Sequence, residues 1–279
     1  MKSLRYLLVI CTMLVLMRCT QNPFGGDKIT SGHREIVGSV YLYDGGNAEG
    51  VYVWLSGFNV GTYTNESGDF TVTLPRESGQ GSMGGLSGVY NIYFYLANYY
   101  LDSAQVVVRD GEFVYSRANI NKDGRLTPPI ELGRFLRIRT SMEPPHMQAA
   151  YTGPIQVSVT LSSTDSVTVI LPKSLSGTLG AVLVKRQDSE EVSIYAAVQN
   201  LNTRIPILVG RSERTVSMNF NTLTSPLVPG DYMVIPYILV AHERIPEELK
   251  ESLGSDVEDL CPNYLKMPFR REGGQFLVK

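Results

Sequence analysis

Residues 50–75 read GVYVWLSGFNVGTYTNESGDFTVTLP, a stretch in which apolar and polar side chains alternate on both sides of a turn. The alternation runs over residues 51–55 and again over residues 70–74. A period of two, with β-branched and aromatic residues, is typical of half-buried strands. NESG at 65–68 is a turn signal, because Gly68 can adopt a positive φ at no steric cost. We therefore predict two strands joined by a hairpin turn at NESG.

The same pattern extends to both sides of this stretch. Residues 36–42 alternate in the same way, and the DGGN sequence that follows at 44–47 is a strong signal for chain reversal. GVYNIYFYLANYY at 88–100 and AQVVVRD at 104–110 are further strand candidates. Several short strands in series predict a mainly β fold of the β-sandwich type.

Four motifs occur here in a fixed order: G-x-V at 38–40, GVxVxL at 50–55, T-x-x-x-G-x-F at 64–70 and G-x-Y-x-I-x-F at 88–94. With these motifs, residues 34–115 resemble the carboxypeptidase regulatory-like domain. The resemblance implies a transthyretin-like, seven-stranded β-sandwich, a fold that this family shares with some carbohydrate-binding modules. It implies no catalytic residues, because such modules accompany enzymes and receptors without doing their chemistry. We expect this first domain to span residues 34–140.

Residues 146–242 are predicted to form a second β-sandwich, Ig-like or similar. Its seven strand candidates are GPIQVSVTLSS, DSVTVILP, GAVLVKR, EVSIYAAV, TRIPILVG, RTVSMNFN and GDYMVIPYILVAH. Before it, TPPIELGRFLRIRT at 127–140 is interpreted as the closing strand of the first domain or as a connecting strand. EPP at 143–145 is interpreted as a stiff linker, because proline fixes φ and restrains its neighbour.

The C-terminal segment, residues 243–279, is predicted to hold short helices and a tail. Pro246 stands near a helix start and Gly254 at its end. SDVE at 255–258 has the spacing of a capping box, which predicts a second short helix towards Cys261. The acidic residues of this segment are interpreted as the solvated faces of the two helices. They are Glu243, Glu247, Glu248, Glu251, Asp256, Glu258 and Asp259.

The N-terminus has the features of an export signal. Lys2 and Arg5 precede an apolar run at 6–17 that is short for a membrane span but suits a signal peptide. LMRCTQN at 16–22 resembles the lipobox of bacterial lipoproteins, although Arg18 stands where that pattern prefers a small residue. The resemblance implies removal of residues 1–18, lipidation of Cys19 and a polar tether over 19–33. The alternative is a secretory signal cut elsewhere, which leaves Cys19 as an ordinary residue.

Charge and cysteine content agree with an exported protein. Loss of residues 1–18 removes three of the 25 basic residues and none of the 27 acidic ones, which changes the formal net charge from −2 to −5. This balance gives no attraction to nucleic acid. Besides Cys19, the mature chain would keep only Cys261, so we expect no intramolecular disulfide.

The polar motifs predict neither catalysis nor a bound metal or cofactor. GQGSMG at 79–84 matches G-x-G-x-x-G but is followed by a strand pattern, whereas nucleotide binding requires a helix there. NINKDG at 119–124 begins like a calcium loop, but position twelve is Ile130 and not an acid, so a turn held by Asn and Asp side chains is favoured. His242 and Cys261 are the residue types of a base and a nucleophile. A strand-end histidine and a half-buried cysteine are favoured instead.

Six aromatic residues are the candidate ligand-binding residues. They alternate with the predicted core positions and so point to the opposite sheet face; they are Tyr41, Tyr43, Tyr52, Trp54, Tyr93 and Tyr95. Aromatic rings with polar tips suit the faces of sugars, and large exposed apolar patches mark contact sites. Three alternatives stay open: the second domain or a loop covers these rings, they are scattered over two sheets, or they form a ligand platform.

These observations together predict a non-catalytic lipoprotein, lipid-anchored to the bacterial cell envelope, most simply at the outer membrane. We expect it to act as a binding or adhesion module, with a carbohydrate as the ligand that suits the aromatic residues. The alternative is a structural or assembly subunit that docks another envelope protein through its aromatic sheet face.

Overall fold

Strands dominate the fold: 49% of the structure is strand and 6% is helix, which confirms the mainly β class predicted from the alternation. The computed structural model describes residues 33–80, 85–172, 178–197, 204–223, 225–242 and 244–279. The predicted signal peptide and Cys19 lie outside these residues, as does the tether up to residue 32. Within the described ranges, no helix has the length and apolar character needed to cross a bilayer.

The first eight strands form two sheets around one hydrophobic cluster. They are β1 (Glu35–Leu42), β2 (Tyr52–Leu55), β3 (Val60–Tyr63), β4 (Asp69–Thr73), β5 (Gly88–Tyr95), β6 (Asp102–Arg109), β7 (Glu112–Phe113) and β8 (Ile130–Leu132). The sheet orders are β4-β1-β8 and β3-β2-β5-β6-β7. Both sheets contribute to the cluster, which we call the first core; for example, Ile36 and Val40 of β1 join Val53 of β2 and Phe94 of β5.

The strand pairing shows that the hairpin predicted at NESG is wrong. β2 pairs antiparallel with β3, from Tyr52 opposite Tyr63 to Leu55 opposite Val60, so the hairpin turn lies at residues 56–59. β4 pairs instead with β1, in the other sheet. NESG therefore carries the chain from one sheet to the other.

The local turn at NESG is nevertheless held as its residue types suggest. Asn65 Oδ1 accepts the backbone N–H groups of Ser67 and Asp69, each at 3.0 Å. Gly68 has a φ of 79°. A Cβ at this position would lie 2.4 Å from the carbonyl oxygen of Val40, so a side chain is excluded twice, by conformation and by space.

The remaining strands surround a second hydrophobic cluster. They are β9 (Leu136–Glu143), β10 (His146–Met147), β11 (Ile155–Ser163), β12 (Val167–Pro172), β13 (Ala181–Arg186), β14 (Val192–Ala196), β15 (Arg204–Val209), β16 (Arg214–Phe220), β17 (Gly230–Pro236), β18 (Leu239–Val240), β19 (Glu272–Gly273) and β20 (Gln275–Val278). The sheet orders are β10-β20-β17-β13-β14, β16-β11-β9-β19 and β15-β12-β18. Each of the seven predicted strand candidates in residues 153–242 contains an observed strand. Their buried side chains form the second core, with Val157 and Val159 of β11, Val182 of β13 and Val234 of β17 among its members.

Two segments from outside residues 146–242 complete these sheets. β9 pairs with β11 from Leu136 opposite Ser163 to Glu143 opposite Gln156, so it contributes to the second core. The C-terminal strand β20 pairs antiparallel with β17 and parallel with β10. The end of the chain is thus built into the sheet.

The C-terminal segment contains one helix, α1 (Glu247–Leu253), among its described residues. It starts after Pro246 and ends at Gly254, where the sequence places its boundaries. The second helix predicted at SDVE is wrong: residues 255–260 form turns, and a 3₁₀ helix follows at Pro262–Lys266. Pro262 sets the end of this stretch, because the residue before a proline is disfavoured in the α conformation, and Cys261 is extended with a φ of −147°.

Asn98 joins the two cores at one buried point. Its side chain is fully buried. Nδ2 donates to the carbonyl oxygens of Leu136 and Arg270, each at 2.9 Å, and Oδ1 accepts the backbone N–H of Arg270 at 2.9 Å. One amide thus connects the chain after β5 to the start of β9 and to the C-terminal tail.

Replacement of Asn98 by alanine should lower the free energy of unfolding by about 3 kcal/mol, because each buried polar group left without a partner costs about 1–3 kcal/mol. Urea denaturation measures the change. The control is Asn47→Ala, since Asn47 is exposed and its Oδ1 accepts only the nearby N–H of Glu49 at 2.7 Å. Equal losses in the two variants would contradict the role given to Asn98.

Candidate functional site

The six predicted ligand-binding residues do not form one exposed platform. Tyr41 and Tyr43 are 52% and 83% exposed, but they lie in and just after β1, which belongs to a different sheet from β2 and β5. Tyr52, Trp54 and Tyr95 are buried. This separates the predicted set into two exposed tyrosines on one sheet and a covered group on the other.

The covered group belongs to a third hydrophobic cluster, which we call the interface cluster. Its buried members are Tyr52, Trp54, Tyr95, Ala97, Ala181, Leu183, Tyr237, Leu239, Leu249, Leu253, Val257, Tyr264 and Met267. They come from β2 and β5, from β13, from the β17–β18 region and from the C-terminal segment. Of the three alternatives left open by the sequence, the first therefore holds for Tyr52, Trp54 and Tyr95: the second half of the chain covers them.

The polar tips of the covered rings have hydrogen-bond partners. The Tyr52 hydroxyl lies 2.9 Å from Ser252 Oγ of α1, and Trp54 Nε1 donates to Asn59 Oδ1 at 3.3 Å. Burial raises the pKa of Tyr52 above its ordinary value and has the same effect on the pKa of Tyr95. These rings are therefore neutral anchors at physiological pH.

Tyr264 fixes the C-terminal segment over this face. Its side chain is fully buried, and its hydroxyl donates to the carbonyl oxygen of Ile238 at 2.7 Å. The same oxygen accepts the backbone N–H of Ile238 at 3.2 Å and Arg271 Nη2 at 3.0 Å. The Arg271 guanidinium lies 4.3 Å from the ring centroid of Phe269, so the charge is also held against an aromatic face.

An open cleft of about 700 Å³ remains where the β2–β3 hairpin meets α1, and we call it the Trp54 cleft. It is lined by Trp54, Ser56, Gly57, Asn59, Tyr93, Pro246, Glu248, Glu251 and Ser252. Trp54 and the half-buried Tyr93 lie side by side, with ring centroids 5.8 Å apart and an angle of 31° between the ring planes. Two of the predicted residues thus reach the cleft, but Tyr93 supplies most of its aromatic surface, because Trp54 is only 3% exposed.

The other side of the cleft is polar and comes from α1. Glu248 and Glu251 are three residues apart, so they share one helix face. Both line the cleft with Ser252, while the buried Leu249 and Leu253 hold the helix against the interface cluster. The sequence predicts a solvated face for the two glutamates, and both are exposed. Their spacing was the available signal, but only the packing of α1 shows that this face is turned towards Trp54.

A second cleft, of about 510 Å³, lies beside the exposed Tyr43 and includes three arginines. Arg134 forms ion pairs with Asp44 at 3.1 Å and with Glu272 at 2.8 Å, and Arg137 shares Glu272 at 3.3 Å. The charges of this cleft are thus largely paired within the protein, and they connect the β1–β2 turn to the C-terminal tail.

The sequence motifs considered for metal binding or catalysis adopt ordinary structural roles where the structure describes them. In NINKDG, Asn121 Oδ1 accepts the N–H groups of Asp123 and Arg125 at 2.9 and 2.8 Å, which confirms the predicted turn. Cys261 Sγ lies 3.5 Å from Asp256 Oδ2, whereas His242 Nε2 lies 2.8 Å from the carbonyl oxygen of Ala97. No group of three His, Cys, Asp or Glu residues suited to a metal ion occurs among the described residues. Most of GQGSMG, residues 81–84, lies outside them.

Comparisons with known proteins give distant structural similarities. No protein-family model and no curated protein matches the chain. Two crystal structures of BcpA, the major pilin subunit of Bacillus cereus, align with 72% of the chain at 11% and 12% sequence identity, with TM-scores of 0.25 and 0.23. The Bacillus anthracis TIE protein aligns with 76% of the chain at 9% identity and a TM-score of 0.24. The chain spans 63% and 62% of the two pilin chains and 49% of the TIE protein.

His242 should make the stability of the protein dependent on pH. Its ring packs against Phe135, with centroids 4.9 Å apart, and burial lowers its pKa below the ordinary value of 6.5. As the pH falls below about 6.5, the unfolded chain takes up a proton before the folded one does. The free energy of unfolding should therefore fall, with a slope of up to about 1.4 kcal/mol per pH unit from this group.

Urea denaturation at a series of pH values between 5 and 8 measures this slope. His242→Gln keeps a donor for the Ala97 carbonyl but does not titrate, so its slope should be smaller than that of the wild type. The control is Asn47→Ala, an exposed substitution that removes no titratable group and should leave the slope unchanged. A wild-type slope in His242→Gln would show that other groups cause the dependence.

Proposed function

We propose that the protein is a non-catalytic binding module of the bacterial cell envelope that holds a carbohydrate in the Trp54 cleft. The observation that carries this proposal is the composition of the cleft: the half-buried Tyr93, with the mostly buried Trp54 beside it, lies on one side, and the carboxylates and hydroxyl of α1 lie on the other. A sugar ring has the matching chemistry, because its C–H face is apolar and its edge carries hydroxyl groups.

The size and polar groups of the cleft also support a small ligand. Its volume of about 700 Å³ lies within the range of about 300–1,000 Å³ that is usual for small-molecule sites. Asn59, Glu248 and Glu251 offer acceptors for sugar hydroxyls, and the Tyr93 ring offers an apolar face to the sugar.

For the architecture, we propose a transthyretin-like sandwich of the carboxypeptidase regulatory-like type that starts at residue 34 and ends before β9, not at residue 140, and an Ig-like or similar sandwich in which β9 and β20 join the strands of residues 146–242. The presence of two separate hydrophobic cores, each with strands from more than one sheet, supports this division. In this proposal the part of the C-terminal segment that precedes β19, with α1 and the 3₁₀ helix, packs over the first sandwich and completes the cleft.

We further propose export and lipid anchoring through Cys19, which would place the cleft outside the membrane. Mass spectrometry of the mature N-terminus tests this step. The expected species starts at Cys19 and carries the mass of acyl chains. An N-terminus at another residue, or an unmodified Cys19, would contradict lipid anchoring. Either result would leave the proposal of ligand binding in the cleft unaffected, because that proposal is tested separately.

The alternative, an assembly subunit that docks a partner through its aromatic sheet face, has less support. Tyr52, Trp54 and Tyr95 are already covered by the protein's own C-terminal segment and second half. A partner could use that face only after displacing α1 and the buried Tyr264. We therefore assign the aromatic face to internal packing and the cleft at its border to the ligand.

A glycan array followed by titration tests the proposed function. Trp54 is the only tryptophan in the chain, so its fluorescence reports directly on the cleft. A bound glycan should change this emission, and Tyr93→Ala should weaken its affinity about tenfold, equivalent to about 1.4 kcal/mol.

Tyr43→Ala is the matched control, because Tyr43 is 83% exposed and lies in the other cleft. It should bind the glycan as the wild type does, and both variants should retain the wild-type melting transition. The proposal fails if no glycan on the array binds, or if the two variants lose the same affinity.

A further inference from the structure

We infer that the cleft beside Tyr43 is a second binding site, which takes a small molecule carrying a carboxylate or phosphate group. We call it the arginine cleft, because Arg134, Arg137 and Arg211 line it together. This inference goes beyond the proposed function, since it concerns a different site and a different ligand and does not depend on carbohydrate binding in the Trp54 cleft. The observations behind it are the way in which the three guanidinium groups are held and the charge that remains on them.

Two of the arginines are fixed by ion pairs that leave part of each guanidinium group unused. The side chain of Arg134 is only 17% exposed, and it pairs through Nε with Asp44 at 3.1 Å and through Nη1 with Glu272 at 2.8 Å. Arg137 pairs through Nε with the same oxygen of Glu272 at 3.3 Å. Among the described residues, Nη2 of Arg134 and both Nη atoms of Arg137 have no hydrogen-bond partner. These pairs therefore hold the cations in place without using all of their donors.

Arg211 brings a cation that no carboxylate of the described residues neutralises. Its Nε donates to the carbonyl oxygen of Thr164 at 3.2 Å, and neither Nη atom has a partner among these residues. The three arginines face only two paired carboxylates, those of Asp44 and Glu272, so one positive charge remains. Asp165 follows Thr164, but its carboxylate accepts the Tyr100 hydroxyl and is not among the described lining groups. A cleft with excess charge of one sign attracts a ligand of the other sign.

The donors and the size of the arginine cleft indicate the class of ligand. The planar fork of a guanidinium group matches the oxygens of a carboxylate or a phosphate, with which it forms charge-assisted hydrogen bonds. The volume of about 510 Å³ is that of a small-molecule site and is larger than a lone inorganic ion needs. Tyr43 lines the cleft with a ring that is 83% exposed, so an apolar face is available to the body of the ligand. An acidic sugar or a sugar phosphate combines these features.

Three sugars with the same pyranose ring test the inference, because they differ only at carbon 6. They are glucose, glucuronate with a carboxylate, and glucose 6-phosphate. Isothermal titration should show that at least one of the two anions binds about tenfold more tightly than glucose, as expected for partly exposed ion pairs. The ratio between the two anions then distinguishes a carboxylate site from a phosphate site. The preference should decrease in 1 M salt, where charges are screened beyond about 3 Å. Equal affinity for all three sugars, or no binding of either anion, would overturn the inference.

Two double variants separate the arginine cleft from the overall charge. Arg137→Gln with Arg211→Gln should lower the affinity for the anion about tenfold, because four of the unused donors are lost. Arg139→Gln with Arg214→Gln removes the same net charge from nearby strands, at positions that are not among the described lining residues, so it should keep the wild-type affinity. Equal losses in the two double variants would overturn the inference, because binding would then follow net charge alone.

A single variant covers the case in which the double variant does not fold. Arg211 is exposed, and among the described residues its one hydrogen bond goes to the carbonyl oxygen of Thr164, so Arg211→Gln should keep the wild-type melting transition. It should lower the affinity for the anion about threefold, as expected for one partly exposed ion pair. Wild-type affinity in this variant would contradict the inference.

One further variant distinguishes this inference from the proposed function. Tyr93→Ala changes the Trp54 cleft and should leave the affinity for the anion unchanged. A loss there equal to that in Arg211→Gln would overturn the inference, because the anion would then not be bound by the arginine cleft specifically. A negative glycan array combined with binding of the anion would overturn carbohydrate binding in the Trp54 cleft and leave the arginine cleft in place.

Discussion

The packing of α1 against the outer face of β2 is the contact on which the rest of the arrangement depends. β2 is buried on both faces: Val53 and Leu55 lie in the first core, while Tyr52 and Trp54 lie in the interface cluster. A strand with two apolar faces must be covered on both sides. Leu249 and Leu253 provide part of the second cover, and each buried leucine contributes about 1.5–3 kcal/mol relative to an exposed one. Because these leucines point inward, the glutamates on the neighbouring helix face line the cleft.

The strands themselves could be predicted from the sequence, because alternation depends only on neighbouring residues. The seven strand candidates of the second half were found for this reason. The helix α1 was found from a different local signal, because Pro246 and Gly254 mark its ends. Alternation shows which side chains share a face but does not identify the partner strand. The hairpin expected at NESG was therefore wrong, and only the pairing of β4 with β1 shows that the chain changes sheets there. The second C-terminal helix was also wrong: the capping-box spacing at SDVE is a local signal, and residues 255–260 form turns before the 3₁₀ helix that begins at Pro262.

The candidate site could be predicted only in part, because it joins segments that are far apart in the chain. Trp54 and Tyr93 were found from the alternation of β2 and β5, since both point away from the first core. Tyr52 was named by the same argument, but it contacts Ser252, which is 200 residues further along the chain. No local pattern contains such a contact. For the same reason the sequence could place Glu248 and Glu251 on one helix face without showing that this face lines a cleft with the aromatic pair.

The accessibility of Trp54 tests the central claim most directly, because this residue is the only tryptophan and lies in the interface cluster. Collisional quenching of its fluorescence by acrylamide should be weak in the folded protein and should rise to the level of the unfolded chain in urea. Leu249→Asp, which places a charge in the cover, should increase the quenching while the rest of the fold persists. Quenching in the folded wild-type protein as strong as in urea would contradict the account, because Trp54 would then not be covered by the C-terminal segment.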